Sequence, residues 1–235
     1  MAAVLPPALL LPGLHGTDAL WPPFRAAWRG AGGDERLASL TYPADPACTL
    51  DGYIACVEAA ISGLAGPGPV DLIAESFSGP IALRVVARGR VPIRRVVLVA
   101  SFAGALRPGL LSLSHLVPLR LLAHPPRWAI AHLLANGVTD RAVIADIVAA
   151  VRAIPPALAV SRLRLLARLD ADDLRCTHPV LYLQATRDRL VPPSALTAIR
   201  RCCPDLTVTA IAAPHLLMQS SADAAAVAIR AFLSA

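Results

Sequence analysis

A chain of 235 residues is long enough for one sizeable core, and with 56% hydrophobic and 16% charged residues it is not a disordered segment. Its net charge of +6 rests on Arg alone, since Lys does not occur. The arginines are scattered without interleaved aromatics, which argues against a nucleic-acid surface and leaves a mild preference for acidic partners.

The opening stretch MAAVLPPALLLPG has no basic residue and is broken by Pro6, Pro7 and Pro12, so it reads as a strand at Ala8 to Leu11 and not as a signal peptide. A cytoplasmic location is the corresponding expectation. No apolar stretch reaches the roughly 18 residues of a membrane span without a Pro or His. WPPFRAAWRGAG predicts a short helix ending at Gly30 to Gly33, and RLASLTYP a strand over Leu37 to Tyr42. LDGYIACVEAAISGL carries Tyr53, Ile54, Val57, Ile61 and Leu64 near helical spacing. A third strand at Val70 to Ala74 runs into Glu75-Ser76-Phe77-Ser78-Gly79, followed by a helix through Ala87. RRVVLVAS is then a continuous apolar run of the kind buried in parallel sheets.

From residue 106 to 169 no strand is predicted, only helical patches separated by Pro118, Pro125-Pro126 and Pro155-Pro156. Strand and helix then alternate again: PVLYLQAT, PSALTAIRRCC, LTVTAIAA and LMQSSADAAAVAIRAFL. The expected fold is α/β, an open sheet of six parallel strands in the order 2-1-3-4-5-6 with helices on both faces. Its core comprises residues 1–105 and 170–235, and 106–169 form a helical insert acting as a lid. Cys48, Cys56, Cys176, Cys202 and Cys203 show neither a CxxC pair nor His at ligand spacing, so they read as reduced thiols; no metal and no cofactor is expected.

In an open parallel sheet, ligands bind beyond the carboxyl ends of the strands. The loops in that position carry PGLHGT after the first strand, Ser76 after the third, Asp188 after the fifth and His215 after the sixth. Ser76 alone would read as a plain turn residue, and Asp188 as a solvated carboxylate beside Arg187 or Arg189. Their arrangement with His215 favours a nucleophile, an acid and a base. Asp172, Asp173 and His178 precede their strand and fall at the wrong end of the sheet, while His115, His124 and His132 lie in the insert.

The order Ser, Asp, His with a strand-turn-helix at the Ser resembles the α/β-hydrolase family over nearly the whole chain. Ala74 and Ser78 stand where the family's G-x-S-x-G motif has glycine, both small enough for the turn, and Ser78→Ala is expected to be nearly silent. The family's first two strands, an antiparallel pair, are expected to be missing. The resemblance implies that Ser76 attacks an acyl carbon, that His215 takes its proton and that Asp188 orients the imidazole. It further implies oxyanion donors at the backbone amides of Phe77 and Leu14, and His15 beside Leu14 is a candidate substrate contact. A Ser nucleophile argues against epoxide hydrolases and dehalogenases, whose nucleophile is Asp. The expected activity is hydrolysis of a carboxylic ester with a small or medium acyl group. The alternatives are a thioesterase acting on an acidic acyl carrier or CoA, a carbon–carbon hydrolase or cofactor-free haloperoxidase with the same triad, and a non-catalytic binding member of the fold.

Overall fold

In the computed structural model, the described residues are 5–33, 36–64, 66, 68–105 and 125–235. The first part of the expected insert, 106–124, with Pro118, His115 and His124, lies outside them. The strands are β1 (Ala8–Leu11), β2 (Leu37–Ser39), β3 (Val70–Glu75), β4 (Ile93–Val99), β5 (Val180–Ala185) and β6 (Leu206–Ile211). They form one parallel sheet in the order β2-β1-β3-β4-β5-β6, as the alternating apolar runs predict. Among the described residues no antiparallel strand precedes β1.

Side chains of a strand alternate between the two faces, and here both faces are covered. Leu9, Leu11, Leu72, Ala74, Val96 and Leu98 pack on one side, against α2 (Leu50–Leu64), α3 (Gly79–Arg88) and α7 (Ala195–Cys202). Leu10, Ile73, Val97, Val99, Leu181 and Leu183 pack on the other, against α1 (Pro22–Gly30) and α9 (Ala222–Ser234). The register aligns Leu11, Ala74, Leu98 and Tyr182 in one row across the central strands. Because the strands are parallel, the loops after β1, β3 and β5 all leave the same end of the sheet, which is what brings their residues together.

Between β4 and β5 lie α4 (Arg127–Leu134), α5 (Arg141–Arg152) and α6 (Pro156–Ala167). No single helix among the described residues is long and apolar enough to cross a membrane; α5 and α6 reach that length together only across a 90° bend. Two elements differ from expectation. The second strand stops at Ser39 because the chain turns aside there, and the Tyr42 amide bonds Gly16 O at 2.8 Å instead of continuing the ladder. The last helix breaks at Ser221 (φ −142°, ψ 45°), leaving α8 (Leu217–Ser220) as a short piece behind His215. Its Ser220-Ser221 pair is a poor helix interior, because hydroxyls compete for backbone partners; Ser220 Oγ donates to Leu216 O at 2.9 Å.

Candidate active site

The turn after β3 is made by a single left-handed residue. Glu75 is still extended (φ −90°, ψ 131°), Ser76 has φ 48°, and a 3-10 turn over Ser76–Ser78 leads straight into α3. A non-glycine residue in that region costs about 1–3 kcal/mol and persists where surrounding structure demands it. The demand comes from close helix–strand contact: a Cβ added to Gly79 would overlap Ser101 Oγ, which donates to Ser76 O at 2.6 Å. The glycine that the elbow requires is thus Gly79, one position beyond the motif.

Ser78 is more than a small residue. It is right-handed (φ −79°) and fully buried. Its hydroxyl donates to Pro12 O and lies 2.8 Å from Tyr42 OH, which ties the elbow to the loop after β1. The expectation of a silent Ser78→Ala is corrected on this ground, since the change strands two buried polar groups.

The three residues singled out by their loops lie within hydrogen-bond reach of one another. His215 Nε2 is 2.9 Å from Ser76 Oγ, and its Nδ1 is 2.8 Å from Asp188 Oδ2. The other carboxylate oxygen of Asp188 accepts from the amides of Leu190 (2.7 Å) and Val191 (3.0 Å). With Nδ1–H directed to the carboxylate, a neutral imidazole has its free lone pair at Nε2, facing the serine. The imidazole and carboxylate side chains are only 5% and 4% exposed. The two loops are stitched together through Thr186 N to Ile211 O and Arg187 N to Ala213 O. The rival partners of Asp188 are engaged elsewhere: Arg187 donates to Ala212 O, and Arg189 meets His132. Asp172 and Asp173 are exposed, upstream of β5.

Ser76, Asp188 and His215 open onto a cavity of about 690 Å³ whose wall includes Leu14, His15, Phe77, Ile130, Ile154 and Leu163. Among the described residues, nothing accepts the backbone N–H of Leu14 or of Phe77. The Phe77 ring is fully buried against Tyr42 and Tyr53. His15 lines the cavity and is held neutral by burial, its pKa lowered to about 4. Trp21, edge-on to it, is fully buried.

Two residues near the site carry no clear sequence signal. Glu75, fully buried at the end of β3, has its pKa raised to about 7 by burial, against the opposing effects of Gln219, His215 and the Gly13 amide. A carboxylate ending an apolar strand was its only signal. Arg162 on α6 is 1% exposed and donates to Leu14 O, Tyr53 OH and Pro43 O. Nothing in SRLRLLAR separates it from Arg164 or Arg168. The five cysteines are unpaired thiols, with Cys176, Cys202 and Cys203 buried.

A family model described as "Alpha/beta hydrolase family" matches residues 4–229. Solved structures resemble the whole chain at low identity. The enol-lactonase from Burkholderia xenovorans LB400 is 17% identical with a TM-score of 0.79, covering 99% of this chain and 93% of that one. A thermophilic esterase from Thermogutta terrifontis is 21% identical with a TM-score of 0.78, covering 99% and 90%. A bromoperoxidase from Bacillus anthracis is 15% identical with a TM-score of 0.77, covering 99% and 93%. These likenesses carry the fold. No curated protein matches the sequence.

Proposed function

Because the chain belongs to the alpha/beta hydrolase family, we propose that it is a serine hydrolase cleaving carboxylic esters of small or medium acyl groups through an acyl-enzyme. The observation that carries the reading is the hydrogen-bonded chain Ser76–His215–Asp188, with its serine in a left-handed elbow on a largely apolar cavity.

In the first step Ser76 Oγ attacks the acyl carbon while its proton passes to His215 Nε2. Asp188 holds the tautomer and balances the imidazolium. Negative charge develops on the former carbonyl oxygen, where the amides of Leu14 and Phe77 donate; one such donor is worth about 10²–10³ in rate. Collapse expels the alcohol, which takes the proton from His215. Water then attacks the acyl-serine by the same route, releasing the acid and restoring the Ser76 hydroxyl.

The insert acts as a lid in this reading. Ile130 and Leu134 of α4, Val151 of α5, and Ala159, Leu163 and Leu166 of α6 give the cavity an apolar wall suited to an acyl chain. Its volume falls in the usual range for small-molecule sites. The net charge of +6, with Arg189 on the cavity wall, favours a second reading in which the acyl group arrives as a thioester on an acidic carrier or CoA. A panel of p-nitrophenyl esters and acyl-CoAs from acetyl to palmitoyl separates the two. A fluorophosphonate label on Ser76 distinguishes both from a binding protein, which would take none.

A further inference from the structure

We propose that Arg162 is a positioning residue for the oxyanion site, holding the Pro12–Gly16 loop at the Leu14 carbonyl and laying a cation over the Phe77 ring. The inference rests on the serine-hydrolase reading above and assigns that reaction a residue outside its triad.

Arg162 is a buried cation without an anion. It is 1% exposed, and among the described residues no carboxylate lies within ion-pair distance. Its fork is spent on neutral acceptors: Nη1 donates to Leu14 O at 2.7 Å, Nε to Tyr53 OH at 3.1 Å and Nη2 to Pro43 O at 3.2 Å. The guanidinium carbon lies 5.6 Å from the centre of the Tyr53 ring and 5.7 Å from that of Phe77. Burying an uncompensated charge is costly even where its donors are hydrogen-bonded. What the charge contributes is therefore to be sought in the groups it touches. Two of these, Leu14 and Phe77, are the residues whose amides face the developing oxyanion.

The loop is held at successive carbonyls. Pro12 O accepts from Ser78, Gly13 O from the Gly16 amide (3.0 Å), Leu14 O from Arg162 and Gly16 O from the Tyr42 amide (2.8 Å). With these acceptors engaged, the loop cannot rotate its peptide planes without losing a bond, and the Leu14 N–H stays free for substrate. Gly16 has φ +77°, and a Cβ there would overlap the guanidinium, so this loop leaves room for Arg162 and for little else. The Arg162 fork reaches the loop from α6, so its hydrogen bond ties the helical insert to the oxyanion loop.

The cation acts more on the transition state than on the bound ester. A neutral ester gains little from a nearby guanidinium, whereas the tetrahedral oxyanion gains from it across a medium that excludes water. The signature is a loss in kcat with KM little changed.

The test compares Arg162→Met, which keeps length while removing charge and donors, with Arg162→Lys, whose single ammonium cannot hold three acceptors in fork geometry. Wild type is first treated with a fluorophosphonate. Absence of labelling overturns the serine-hydrolase reading and this proposal with it; labelling restricts all later outcomes to the proposal. For Arg162→Met, kcat on a p-nitrophenyl ester is expected to fall about ten- to a hundredfold, as for small misplacements of a catalytic group. Affinity for an alkyl boronate, whose anionic tetrahedral adduct mimics the oxyanion, should fall in proportion. The thermal midpoint should fall modestly, because relief of the buried charge is offset by three stranded acceptors. A folded variant with wild-type kcat and boronate affinity overturns the proposal. So does a loss confined to KM with boronate affinity unchanged. Should the Met variant not fold, Arg162→Lys decides on the same two quantities: both should fall, by less than in a folded Met variant, and wild-type values overturn the proposal.

Discussion

The buried carboxyl of Glu75 and the buried imidazole of His15 lie on either side of Gly13, where a Cβ would sit 3.3 Å from Glu75 Oε2 and 3.4 Å from His15 Nδ1. Burial raises the first from its ordinary 4.5 to about 7 and lowers the second from 6.5 to about 4. The consequences for stability have opposite signs. Folded Glu75 holds its proton more tightly than the unfolded chain does, so it costs stability as pH rises from 4.5 to about 7. Folded His15 resists protonation, so its contribution is present above 6.5 and lost as pH falls toward about 4. Between pH 4.5 and 6.5 the two slopes oppose each other. Glu75→Gln removes one of them. The difference between 4.5 and about 7 corresponds to about 3 kcal/mol. The stability gap between Glu75→Gln and wild type should therefore widen in the variant's favour by about 3 kcal/mol from pH 4.5 to pH 8. In a chain of this size that is roughly 6–12 °C in the unfolding midpoint. Urea unfolding of both proteins across this range measures it directly. A gap that stays constant with pH, or closes as pH rises, would refute the argument that Glu75 is held protonated by burial.

Other expectations follow from named contacts. Ser78→Ala should lower stability by about 1–3 kcal/mol through the stranded Pro12 carbonyl and Tyr42 hydroxyl; urea unfolding checks it, and turnover should fall as the loop loosens. In kcat/KM the acid limb should be a single-proton loss, reshaped by Asp188→Asn and untouched by Asp172→Asn. Sensitivity at Asp172 would mean that the acid has been misassigned. Leu163→Trp should shorten the preferred acyl chain, since it fills the wall of the cavity, and each methylene excluded forfeits about 0.8 kcal/mol. An unchanged ester profile would place the acyl chain elsewhere.

Much of this architecture is readable in the chain because its determinants are local. Six apolar runs bounded by Pro and Gly, with helical periodicity between them, predict the strands, and right-handed crossovers limit their order. The loops after those strands then name Ser76, Asp188 and His215 without any distance. The rest depends on pairs that only folding brings together. Ser78 becomes a tether because Pro12 and Tyr42 arrive beside it, 66 and 36 positions away. Glu75 becomes an acid with a raised pKa because folding buries it completely, against the lowering effects of Gln219, His215 and the Gly13 amide. Arg162 differs from Arg164 and Arg168 only in facing Leu14, 148 positions away. The early end of β2 has the same origin, since Tyr42 leaves the sheet to hold Gly16. Buried polar side chains are selected by their tertiary partners, and a one-dimensional pattern shows apolar faces better than it shows those partners.

The central claim, that Ser76 carries the acyl group, is tested most directly by trapping it. The protein is mixed with a p-nitrophenyl ester, quenched in acid within the first turnovers and analysed by peptide mass spectrometry. The account predicts one acyl adduct, on Ser76, absent from Ser76→Ala and persisting longer in His215→Ala if that variant is acylated at all. An adduct on another residue, or ester cleavage by Ser76→Ala at the wild-type rate, would contradict it.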